Sequence, residues 1–186
     1  MTAPLGPKGL VILDRDGVIN RDSREFVKSV DEWLPLPGSI EAIARLSKAG
    51  FTVAIASNQS GLARGLFDRR ALRSMHRKLR RLVAADGGRV DRIEVCPHGP
   101  DDGCRCRKPA PGLYERLGRH YGVSLEGAPA IGDSLRDLQA AAAAGATPIL
   151  VRTGNGRRTE ASLPPAFRRV PVFDDLEAAS AALTAR

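Results

Sequence analysis

The sequence predicts an α/β protein built on a doubly wound parallel sheet. Three observations carry that. Short apolar, β-branched runs alternate along the chain with segments of helical periodicity. Helical segments stop at glycines, as at Gly50 and Gly145. The polar clusters fall where the apolar runs end, which is where open α/β sheets bind ligands. Right-handed crossovers between parallel strands put helices on both faces, a Rossmann-like arrangement. The 186 residues suit one domain, 1–186. Only 154–165 reads as linker-like, and it is taken as a surface loop.

The first run, Val11-Ile12-Leu13, stops at Asp14-Arg15-Asp16-Gly17. On an extended chain Asp14 and Asp16 share one face, and Gly17 permits a sharp turn. Two carboxylates this close repel unless a cation neutralises them or one is protonated. A plain strand-ending turn is the alternative. Residues 21–37 read as irregular, with Pro35 and Pro37 against a helix. A helix is expected over 38–48, from Ile40, Ile43, Ala44 and Leu46, and a second strand over 51–56 before the loop Ser57-Asn58-Gln59-Ser60-Gly61. Next comes a helix capped by Asp68. A third strand is expected over 90–95, a helix over 112–121, and a fourth strand over 128–131 ending in Gly132-Asp133-Ser134. An alanine-rich helix to Ala144, a fifth strand over 147–151, a sixth over 170–173 and a final helix from about Asp174 complete the chain.

The net charge of +8 points to an anionic partner, whether nucleic acid, a charged surface or a small substrate. Aromatics are only 4%, too few for a base-stacking platform. Much of the charge lies on the helix after Asp68. There Leu72, Met75, Leu79 and Leu82 recur at helical spacing, so the arginines read as a solvated face. No stretch is long and apolar enough to span a membrane, and Met1 to Gly9 lacks the pattern of a secretory leader. A cytoplasmic location is therefore the expectation.

Four polar clusters converge on one edge of the expected sheet: Asp14 with Asp16, Ser57 with Asn58, Lys108, and Asp133 with Asp137. Aspartates suit a hard cation such as Mg²⁺. A serine hydroxyl and a lysine ammonium suit phosphate oxygens. One aspartate can attack phosphorus while the other moves protons. This pattern resembles the haloacid dehalogenase (HAD) superfamily of phosphatases over 10–151. Its four motifs match Asp14-Arg15-Asp16-Gly17-Val18, Ser57, Lys108 and Gly132-Asp133-Ser134-Leu135-Arg136-Asp137 in order. The resemblance implies Asp14 as nucleophile and Asp16 as general acid/base. It implies Mg²⁺ on the side chains of Asp14 and Asp133 and the backbone carbonyl of Asp16. Ser57 and Lys108 would bind the transferring phosphoryl group. The gaps between motifs hold no separate cap domain, so an open, capless site is expected.

Cys96, His98, Cys104 and Cys106 lie within eleven positions and include every cysteine of the chain. Three thiolates and an imidazole suit a closed tetrahedral Zn²⁺ site. A redox pair plus a spare thiol is the alternative, weakened by the odd count. The loop 96–106 has little apolar content of its own, so zinc would supply much of its order and aim the adjacent Arg107 and Lys108.

The zinc loop, Ser57 to Gly61 and Arg107-Lys108-Pro109 together resemble a narrower branch, the D-glycero-D-manno-heptose-1,7-bisphosphate 7-phosphatases of bacterial heptose biosynthesis. That family removes the C7 phosphate. The resemblance implies a sugar bisphosphate as the small-molecule partner, a monomer, and Arg107 on the retained part of the substrate. Asp22, Ser23, Arg24, Glu25, Asn58, Gln59, Ser60 and Ser134 would line the sugar pocket. The run Ser23-Arg24-Glu25-Phe26 departs from the branch's usual His-Gly-Tyr-like run. Two alternatives stay open. Histidinol-phosphate phosphatase shares the motifs but takes a substrate with an ammonium group and an imidazole. A zinc-containing nucleic-acid module would use the basic helix but has no need of strand-end aspartates.

Overall fold

The computed structural model describes residues 8–185. The opening residues 1–7, part of the stretch read above as lacking a leader, lie outside them, as does residue 186.

The strands are β1 (Leu10–Leu13), β2 (Thr52–Asn58), β3 (Arg92–Cys96), β4 (Pro129–Gly132), β5 (Thr147–Val151) and β6 (Val172–Phe173). They form one sheet in the order β3-β2-β1-β4-β5-β6, every pair parallel. The order reverses at β1, so the crevice beside β1 and β4 is the switch point at which such sheets bind ligands.

The helices are α1 (Ser39–Lys48), α2 (Arg69–Ala85), α3 (Gly112–Tyr121), α4 (Leu135–Ala143), α5 (Gly156–Ala161) and α6 (Leu176–Thr184). Side-chain alternation divides the strands between two cores. Val11, Leu13, Val53 and Ile55 face one core with Ile43, Met75, Leu79 and Leu176. Leu10, Ile12, Ala54 and Ala56 face the other with Leu113, Leu117 and Ala140. Both faces of β1 are thus covered, which is why it reads as an unbroken apolar run.

Several boundaries differ from expectation. β2 runs on through Ser57 and Asn58, which were expected in a loop; pairing with Val95 and Cys96 of β3 carries it that far. β3 starts later, because Asp91 is occupied in taking the Val53 amide on its carboxylate at 3.0 Å. β6 is short, with Pro171 contributing only its carbonyl, to the Leu150 N–H. Residues 154–165 are not merely a loop: they hold α5, and Gly156 and Thr159 are buried. The 21–37 segment is irregular as expected, yet it buries Trp33 completely.

The basic helix behaves as its pattern predicts. Asp68 caps it, accepting from the Ala71 N–H at 2.7 Å. Leu72, Met75 and Leu79 are buried, joined by Val83, while Leu82 is only partly covered. The arginines at 69, 70, 73, 77, 80 and 81 are exposed. Lys78 is the exception, donating to the Val30 and Trp33 carbonyls at 2.8 Å each.

Candidate active site

A cleft of about 360 Å³ opens beyond the carboxyl ends of β1, β2 and β4. Asp14 follows β1 directly, and its N–H donates to the Ile131 carbonyl of β4 at 2.8 Å. Asp133 follows β4. Gly17 and Gly154, both at positive φ, pack against each other beside the Asp133 carboxylate. A Cβ on either would collide with that carboxylate, so only glycine lets these two turns close over it.

Lys108 is buried at the floor. Its Nζ donates to Asp14 Oδ1 at 2.8 Å and to the Ala56 carbonyl at 2.8 Å, and pairs with Asp137 Oδ1 at 2.6 Å. Burial opposes its charge, but Asp137, Asp14 and Tyr114 outweigh this and raise its pKa above the usual lysine value. Asp137 is also buried, yet the Lys108 charge and the Ser134 hydrogen bonds hold it below the usual carboxylate range. Ser134 donates to Asp137 Oδ2 from its N–H at 3.0 Å and from its hydroxyl at 2.5 Å.

One carboxylate oxygen each from Asp14, Asp133 and Asp137 lies within 4.8 Å of the other two. Burial, together with the neighbouring carboxylates, raises Asp14 well above its ordinary value despite Lys108. Burial and Asp137 push Asp133 up to about 7. Three buried carboxylates thus face one another with a single ammonium, which pairs with Asp14 and Asp137. Asp137 spends both oxygens on Lys108 and Ser134, while Asp14 Oδ2 and Asp133 Oδ1 accept no hydrogen bond among the described residues. A hard divalent cation fits this excess of negative oxygen.

Asp16 lines the same cleft through a turn, not along an extended strand. The buried Arg15 grips its carboxylate, Nη2 to Oδ1 at 2.8 Å, while Asn20 Nδ2 donates at 2.9 Å and Gln59 Nε2 at 2.7 Å. Burial would raise Asp16, but the Arg15 charge and these hydrogen bonds prevail and lower its pKa.

Two of the residues predicted as sugar contacts also hold partners within the protein. Asn58 clips the Lys108 backbone, accepting its N–H at 3.0 Å and donating to its carbonyl at 3.1 Å. Gln59 Nε2 also donates to Ser57 Oγ at 2.8 Å, tying the serine to Asp16. Asp22, Ser23, Asn58, Gln59, Ser60, Arg107 and Ser134 line the cleft. Arg24 and Glu25 lie outside its lining: the 23–26 turn, with Phe26 at φ 63°, turns Phe26 inward in their place. Arg64, Arg136 and Asn155 also line it and were missed in the sequence. Asn155 was recoverable, since it follows the carboxyl end of β5, where the same ligand rule applies.

Beside the cleft, Cys96, His98, Cys104 and Cys106 close into one cluster. The Sγ separations run from 3.3 to 3.7 Å, and His98 Nδ1 is 3.6 Å from Cys96 and 3.3 Å from Cys106. None is in a disulfide. Four such ligands around one centre are the donor set of a structural Zn²⁺ site. Arg107 Nη1 donates to the His98 carbonyl at 3.2 Å, linking the cluster to the cleft.

Comparison with known proteins agrees with this geometry. Residues 105–179 match the HAD-hydrolase-like family model. The chain is 61% identical over 171 residues to D-glycero-beta-D-manno-heptose-1,7-bisphosphate 7-phosphatase of Bordetella bronchiseptica, covering 91% of this chain and 94% of that one. It is 56% identical over 176 residues to the Pseudomonas aeruginosa enzyme of the same name, covering 95% and 98%. A crystal structure of the B. bronchiseptica D,D-heptose 1,7-bisphosphate phosphatase with magnesium and phosphate superposes with a TM-score of 0.90 at 59% identity, covering 94% of this chain and 97% of that one.

Proposed function

Because the chain belongs to the D-glycero-beta-D-manno-heptose-1,7-bisphosphate 7-phosphatase family, we propose that it removes the C7 phosphate of the β-anomer through a phosphoryl-aspartate on Asp14. The observation that carries this is Asp14 itself. It stands at the carboxyl end of the central strand, one oxygen on Lys108 and the other free in the cleft.

The chain's own groups divide the work. Asp14 Oδ2 attacks phosphorus, and the bond from phosphorus to the C7 oxygen breaks. Asp16 gives that oxygen its proton. In the second half Asp16 takes a proton from water, whose oxygen attacks phosphorus, and the bond to Asp14 breaks to release inorganic phosphate. As it stands Asp16 is an ionised acceptor, suited to the water-activating half. Its acid role requires it to exchange the Arg15 contact for the substrate. Ser57 and Lys108 orient the phosphoryl group. Arg64, Arg107 and Arg136 give the cleft positive charge for the retained C1 phosphate, which disfavours histidinol phosphate, whose other end carries an ammonium group.

Mg²⁺ would be held by the side chains of Asp14 and Asp133 and the Asp16 carbonyl, and supplies charge neutralisation for the phosphoryl group. Zn²⁺ would be held by Cys96, His98, Cys104 and Cys106, and supplies the order of their loop. The reading includes a monomer in the cytoplasm with no nucleic-acid or membrane partner. No helix of the described residues is long and apolar enough to cross a membrane.

The test is phosphate release with Mg²⁺ from both anomers of the bisphosphate and from histidinol phosphate, with Asp14→Asn as blank. Preference for the β-anomer, with a single phosphate released per molecule and none by Asp14→Asn, is expected. Preference for histidinol phosphate, or turnover by Asp14→Asn, would overturn it.

A further inference from the structure

The segment after β5 contributes a residue that no motif assigns. Asn155 donates to Asp133 Oδ2 twice, from its backbone N–H at 2.7 Å and from its side-chain Nδ2 at 3.1 Å. The same Nδ2 donates to Asp22 Oδ2 at 3.1 Å. Arg158 Nη2 donates to Asn155 Oδ1 at 2.8 Å, which fixes the amide with its NH₂ toward the two carboxylates. Thr159 Oγ1 donates to the Asp133 carbonyl at 2.9 Å, so α5 braces the residue from behind as well.

We infer that Asn155 is a positioning residue that occupies Asp133 Oδ2, turns Oδ1 toward the metal, and yokes the metal site to the sugar-side segment at Asp22. This rests on the magnesium reading above. Three features support it. Asp133 has two oxygens, and Asn155 saturates one of them. Asp22 and Asp133 are like charges, and a shared donor between them offsets their repulsion. Asp22 lies in the 21–37 segment and Asp133 after β4, and the described structure joins these side chains through this one amide. Loss of a group that orients a metal ligand typically costs about 10–100-fold in metal affinity.

Mn²⁺ binding, followed by electron paramagnetic resonance on protein purified without added magnesium, tests this. The parent should bind a single Mn²⁺, and Asp133→Asn should lose it. Asn155→Ala should raise the dissociation constant about tenfold. Arg158→Ala, an exposed change that leaves the fold alone, should raise it about threefold by freeing the amide to turn. Asp22→Ala should leave Mn²⁺ affinity unchanged but raise KM for the bisphosphate, and by less in the Asn155→Ala background than in the parent. Parental Mn²⁺ affinity in both Asn155→Ala and Arg158→Ala, with Asp133→Asn defective, would overturn the inference alone. Binding by Asp133→Asn equal to the parent, or none by the parent, would overturn the magnesium reading and the inference with it.

Discussion

Arg15 shows how much chemistry one residue inside a short motif can carry. It is 1% exposed, its guanidinium grips Asp16, and its Nη1 has no hydrogen-bond partner among the described residues. Buried His76 lies near it on α2, and its Nε2 likewise has no such partner. Burial, then the charges of Arg15 and Arg80, push the His76 imidazole down to about 3, with Asp16 opposing. Between pH 6.5 and 3 the unfolded chain therefore binds a proton at His76 that the folded chain refuses. Stability contributed this way is present above pH 6.5 and lost as pH falls. From pH 7 to pH 5 the parent should lose about 2 kcal/mol more than His76→Gln, read by urea unfolding at each pH. Equal losses would mean that the imidazole titrates normally inside the fold.

At the scale of elements, the Cys/His loop and α5 are the two pieces that aim the site. The loop places Cys96 and Cys106 in the core beneath α3 and holds Arg107 by the His98 carbonyl. Removing the zinc proposed for it should therefore act on substrate binding more than on chemistry. KM for the bisphosphate should rise about tenfold after verified zinc removal, with a smaller change in kcat. An unchanged KM would show that Arg107 is held without the metal. α5 is fixed to β5 and to the turn after β6 by Arg152, which pairs with Glu160 and with Asp174 at 2.7 and 2.8 Å. Arg152 and Glu160 are partly exposed and Asp174 is largely exposed, so these pairs set the helix's place more than they stabilise the fold.

For the whole molecule, a six-stranded parallel sheet separates two cores that share every central strand. Residues between the motifs form the sheet, its helices and the cleft wall, with no separate cap domain, and the cleft stays open beside β1 and β4. Each fully buried Leu, Ile or Val on β1 contributes about 1.5–3 kcal/mol. Neither core can be lost without exposing that strand. The chain should accordingly unfold in one transition, with far-UV circular dichroism and the fluorescence of buried Trp33 giving the same urea midpoint. Separated midpoints would divide 8–185 into more than one cooperative unit.

The sequence by itself determined the sheet and the place of the strand-end aspartates. Buried parallel strands must be apolar, helices must carry one apolar stripe, and both patterns are local. α3 and β5 begin and end where the residues predict, and Asp14, Asp133 and Lys108 meet because each follows or faces a strand end. The tertiary structure alone decided what each polar group spends its hydrogen bonds on. Asn58 and Gln59 line the cleft, and they also hold Lys108 and Asp16. Arg24 and Glu25 lie in the right segment, yet the turn at Phe26 carries them outside. Asn155, 133 positions from Asp22, joins it to Asp133. A hydrogen bond is settled by distances of a few tenths of an ångström between groups far apart in the chain, and periodicity carries no information at that range.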